Sequence, residues 1–98
     1  MVLKLLEKEP DDLFLNFVLG LEFAAELQTD DAERQFMKVL TLDSNYIAAY
    51  YQLGKLLESN GKVKDALIYF REGLSKAREQ NNNKSANEFE EAIFTIED

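Results

Sequence analysis

The chain has 98 residues, 11 basic against 19 acidic side chains for a net charge of −8, 46% hydrophobic content, one Pro, and neither Cys nor His. That is enough for one small domain with a single core, and it excludes disulfides, thiol nucleophiles, zinc sites and histidine acid–base chemistry. With no run of Lys or Arg, the acidic balance also argues against a nucleic-acid partner, because neutralised phosphates supply most of that affinity.

Taken in chain order, Met1 to Pro10 carries two Lys and two Glu among its apolar residues, so it lacks the apolar stretch and small-residue cleavage site of a signal peptide. A cytoplasmic location is expected. Leu13 to Ala25 is the most apolar stretch, but Asn16, Gly20 and Glu22 interrupt it and it is too short for a bilayer, so no membrane partner is expected. Polar clusters at 10–12, 28–31, 43–45, 59–61 and 81–83 break the chain into six segments. Within them apolar residues recur at helical spacing, as in Leu67, Phe70 and Leu74, and in Ala86, Phe89, Ile93 and Ile96. The reading is all-α. Asp30 standing three before Glu33 is a helix-start signal, and Ser85 with Glu88 reads as a capping box that opens a last helix from Ser85 to about Glu97.

Shifting the sequence against itself by 34 residues places Leu19 on Leu53, Gly20 on Gly54, Asp31 on Asp65, Ala32 on Ala66, Phe36 on Phe70 and Leu40 on Leu74. Leu-Gly then falls midway along the first helix of each unit, and Ala-x-x-x-Phe lies on one face of the second, since i and i+4 are helix neighbours. Gly20 is expected to face Ala32, and Gly54 to face Ala66, so that antiparallel helices approach closely. Phe36 and Phe70 are expected to fill the space between one hairpin and the next.

This pattern resembles the tetratricopeptide repeat. The second unit carries Tyr50, Leu53-Gly54, Leu57, Gly61, Ala66 and Phe70. The first carries Leu19-Gly20, Phe23, Ala32, Phe36 and Asp43-Ser44-Asn45, and departs from the pattern at Asn16, where an aromatic is usual, and at Leu27, where the turn normally has Gly. Pro10 sits where a preceding repeat would close. The expected organisation is a half-repeat helix at 1–12, repeats at 13–46 and 47–80, and a capping helix at 81–98, together forming one structural domain of the α–α superhelix class. The terminal helix would cover the apolar side of the second hairpin, as end units of repeat arrays must.

The resemblance implies a protein-interaction module whose first helices line a concave groove for a peptide or helix. By it, the partner-binding positions are Phe14, Phe17 and Leu21, then Tyr51 and Lys55. Ala24, Ala48 and Glu58 share those faces. Phe14, Phe17 and Leu21 are large and apolar at i, i+3, i+7, and three routes to their cover stay open: the helix within Met1 to Lys8, a protein or peptide partner, or a second copy. The last would make the chain a homo-oligomerising structural unit. A clamp for a terminal carboxylate is not expected, because the groove positions offer only Lys55 as a cationic donor. Glu90-Glu91, Asp11-Asp12 and Asp30-Asp31 read as helix-end and solvated carboxylates rather than acid–base pairs. Gly54-Lys55 lacks the upstream Gly, the Ser or Thr and the strand of a phosphate loop, and Asp43-Ser44-Asn45 lacks the Gly and distal Glu of a calcium loop. No catalytic residues, cofactor or metal are therefore expected, and the chain is not expected to be an enzyme.

Overall fold

The computed structural model describes residues 2–97. Among them are six α-helices and no strand: α1 (Val2–Lys8), α2 (Leu13–Ala25), α3 (Thr29–Leu42), α4 (Ile47–Ser59), α5 (Val63–Glu79) and α6 (Asn83–Glu97). Loops of three or four residues join them, and within each unit helices pair as helix-turn-helix hairpins. The contacts divide the chain into two compact units between Ala49 and Tyr50. In the first unit both α1 and α3 pack on α2, and in the second α5 packs on α6. No helix among the described residues is long and apolar enough to cross a membrane.

The packing is organised by three glycines, each set against one phenylalanine ring. The atoms nearest to a Cβ built on Gly20 are those of the Phe36 ring, and on Gly54 those of the Phe70 ring. Ala32 and Ala66, one helical turn before those rings, are also fully buried. Phe36 and Phe70 thus rest on the glycine of their own hairpin, and Phe70 also meets Phe89 of α6, at a centroid distance of 6.4 Å. The cause is steric: a helix without a Cβ exposes flat backbone, and only a flat ring fills that space at interior density. Gly73 on α5 repeats the device with Phe89 on α6, and Tyr50 closes the same spot. The separations 36 − 20, 70 − 54 and 89 − 73 all equal 16. All three rings are fully buried.

Three helix ends share one geometry. Leu27, Gly61 and Asn81 have φ of 60°, 79° and 56°. After each, the next amide donates back across the last turn: Gln28 N to Phe23 O at 2.9 Å, Lys62 N to Leu57 O at 2.9 Å, and Asn82 N to Ala77 O at 2.8 Å. These are helix stops of the Schellman type, which require a left-handed residue and favour Gly or Asn. Leu27 is neither, and its side chain is 87% exposed, so no packing offsets the conformational cost. Leu27→Gly should therefore raise stability by about 1 kcal/mol. A chemical denaturation curve whose midpoint stays put or falls would show that Leu27 contributes something its exposure does not reveal.

Helix starts depart from the expectation at two places. α6 begins at Asn83, and the Asn82 side-chain oxygen accepts from Ser85 N at 3.1 Å, so Asn82 is the cap and Ser85 lies inside the first turn. Asn caps as well as Ser does, and the earlier site extends the helix. Likewise α3 begins at Thr29, which puts Asp30 and Asp31 within its first turn, where the helix dipole favours carboxylates. α2 is capped by Asp12, whose carboxylate accepts from Leu15 N at 2.8 Å.

α6 is held on α5 by Phe89, seated at Gly73, with Ala86 and Ala92 also buried and Ile93 and Ile96 half-buried. Arg71 with Glu97 and Arg78 with Glu90 join the two helices at their exposed edges. Such surface pairs add little beside the apolar contact.

Candidate functional site

The five positions expected to meet a partner fall in both units. On α2, the i, i+3, i+7 spacing places Phe14, Phe17 and Leu21 along one stripe, but their surroundings differ. The Phe17 ring lies 5.7 Å from that of Phe36 and 5.3 Å from that of Tyr46, both tilted, so Phe17 is half-buried between them. Leu21 is also half-buried, whereas Phe14 is 65% exposed. α1 packs on α2 without burying any residue of its own, and Leu3 and Leu5 remain exposed. Phe36 and Tyr46 contribute to the partial cover of Phe17. Burial, and secondarily the Asp12 carboxylate, push the Tyr46 phenol above its ordinary range.

Asn16, on the opposite side of the same turn, is 1% exposed and fully satisfied. Its amide donates to Pro10 O and Asp12 O, both at 2.8 Å, and its oxygen accepts from Gln35 Nε2. Lys38 Nζ also donates to Pro10 O, at 3.1 Å. A polar residue in the slot where an aromatic is usual therefore ties the loop before α2 to α2 itself and to α3. A buried amide is tolerated only with such partners.

In the second unit, Tyr51 projects from α4 against the rings of Phe70 and Phe89, at centroid distances of 5.9 and 5.7 Å. Lys55, one turn on, sets its ammonium 5.9 Å from the Tyr51 centroid and 3.7 Å from the Glu58 carboxylate. Tyr51, Lys55 and Glu58 form one wall of a cleft of about 190 Å³, with Glu88, Glu91, Ala92 and Thr95 of α6 forming the other. The α6 wall lies outside the expected partner positions, because Ser85–Glu97 is expected to serve only as cover. The signal available was the spacing Glu88, Glu91, Thr95 at i, i+3, i+7, a polar stripe beside the buried Phe89. No group of three His, Cys, Asp or Glu among the described residues could hold a metal ion.

No protein-family model matches this chain, and no curated protein matches it. Solved structures do. The solution structure of a tetratricopeptide repeat domain protein from Salinibacter ruber is 30% identical, with 90% of this chain and 89% of that one covered, at a TM-score of 0.85. A crystal structure described in the same terms, from the same organism, gives 29% identity, coverages of 88% and 96%, and a TM-score of 0.82. The TPR2B domain of yeast Sti1, solved as its pHsp70 complex, reaches a TM-score of 0.90 over 98% of this chain and 77% of that one; at 19% identity, this likeness concerns the fold alone. Paired helical hairpins, a glycine under each hairpin's phenylalanine and a 30% identical relative covered almost end to end define the class. The chain belongs to the tetratricopeptide repeat family.

Proposed function

We propose that the chain is a protein-interaction module whose repeats, 13–46 and 47–80, present recognition residues to a peptide or helix, with 1–12 as a half-repeat and 81–98 as a cap. Phe14, with the accessible edges of half-buried Phe17 and Leu21, supplies the apolar contact of the first unit, while in the second Tyr51 supplies an aromatic face and Lys55 a cation. Exposed Phe14 is the observation that carries this reading. It costs solvation free energy and fills no interior space, whereas an anchor for a partner needs a large accessible ring. The yeast Sti1 domain, solved as a pHsp70 complex, supports the general mode by analogy of fold. Self-association through the same face is the competing use.

The test is Phe14→Asp. It should abolish capture of a binding partner from native lysate while the helical circular dichroism is kept. Light scattering at two concentrations should give a monomer mass for the wild type at both. A mass that doubles with concentration, and returns to that of the monomer in Phe14→Asp, would assign the face to a second copy instead.

A further inference from the structure

The cleft between Tyr51, Lys55 and Glu58 on α4 and Glu88, Glu91, Ala92 and Thr95 on α6 is unlike the apolar face of α2. Its α4 wall includes an aromatic ring, Tyr51, that already has a cation against it, the Lys55 ammonium. Attraction of a cation to the ring face is a property of the π-system and does not depend on which chain supplies the charge. Around that ring stand three carboxylates. Glu58 is engaged by Lys55, while Glu88 and Glu91 make no ion pair among the described residues. A volume of about 190 Å³ is below the roughly 300 Å³ at which small-molecule sites begin, so it suits one side chain.

Glu58, Glu88 and Glu91 do not form a group that could hold a metal ion, and they stand on two different helices. Dispersed acceptors around an aromatic face match a planar, delocalised cation with several donors, which stacks on the ring while its edges reach separate oxygens. A compact ammonium offers a point charge instead. We infer that this cleft is the seat for an arginine side chain of the partner, with Tyr51 as its stacking surface and Glu88 and Glu91 as its acceptors. Lys55 is the internal cation that the arginine displaces. The inference deepens the proposed binding role by naming partner chemistry: a segment with an arginine in addition to its apolar anchor. The net charge of −8 favours approach of such a segment.

Titration of the full chain with Nα-acetyl-argininamide at low salt, followed by amide chemical shifts, tests this without a partner. The shifts should concentrate at Tyr51, Ala92 and Thr95 and be absent with the uncharged citrulline analogue. Glu88→Gln combined with Glu91→Gln should weaken binding by about five-fold, two exposed ion pairs at roughly 0.5 kcal/mol each. Lys55→Gln should tighten it by removing the internal competitor, whereas Lys64→Gln, the same change of charge on α5, should leave it as in wild type. Shifts spread over carboxylates all around the chain, equal response to citrulline, or equal effects of Lys55→Gln and Lys64→Gln would each overturn the assignment. Because the probe is a single residue, such a failure removes the arginine seat alone. The binding role itself stands or falls on partner capture by Phe14→Asp.

Discussion

Gly54→Leu should lower the stability of the second unit by about 3 kcal/mol, at the upper end of the usual overpacking cost, or some 12–24 °C in melting temperature for a chain of this size. A Cβ at this position would stand under 3.0 Å from the Phe70 ring, and that ring is fully buried with no free space to turn into. Even Gly54→Ala should destabilise, although alanine is the better helix former by about 1 kcal/mol. Two effects of opposite sign compete there, and the clash is the larger because it involves a buried ring rather than the end of a flexible side chain. Gly54→Ala melting above wild type would mean that Phe70 does not rest on bare backbone.

Removal of residues 84–98 should be more damaging still. It takes away Phe89, whose ring fills the space above Gly73 and lies 5.7 Å from Tyr51 and 6.4 Å from Phe70. Loss of one such ring costs about 3–5 kcal/mol by itself, and the rest of the α6 apolar stripe goes with it. The shortened chain should aggregate or unfold without a sharp transition, seen by size-exclusion chromatography and a thermal melt. A monomer that melts as sharply as the full chain would show that α6 contributes little to the second unit.

The repeat was legible because packing imposes it on residue type. Leu-Gly and Ala-x-x-x-Phe recur at 34 residues for the same reason that Phe36 and Phe70 need a bare helix opposite them. The third pair, Gly73 and Phe89, is equally present in the sequence, but Gly73 stands 19 residues after Gly54 and so falls outside the 34-residue period. Asn16 broke the aromatic pattern, and its compensation depends on Pro10, Asp12 and Gln35, the last of which is 19 residues away along the chain. No local rule ties those four together. The α6 start differs from the expected Ser85 because Ser85-x-x-Glu88 and Asn82 are both good caps, and a motif alone cannot rank two caps three residues apart. Leu27 is a departure visible in the sequence, but only its φ of 60° shows that the turn geometry is kept despite the residue type.

The candidate site was legible in residue identity and less so in role. Phe14, Phe17 and Leu21 are alike in composition and spacing, yet Phe17 is wedged between Phe36 and Tyr46 while Phe14 faces solvent. That difference depends on where α3 and the Tyr46 loop run, which hydropathy does not encode. It also separates binding from stability along one helix. The most direct test is the melting temperature of Phe14→Asp beside that of Phe17→Asp. Phe14→Asp should melt within about 2 °C of wild type, as exposed substitutions do. Phe17→Asp loses two ring contacts and places a carboxylate among them, so it should melt about 12–24 °C lower, for a cost near 3 kcal/mol. Equal losses in the two variants would place Phe14 in the packed interior and contradict its assignment as a recognition residue.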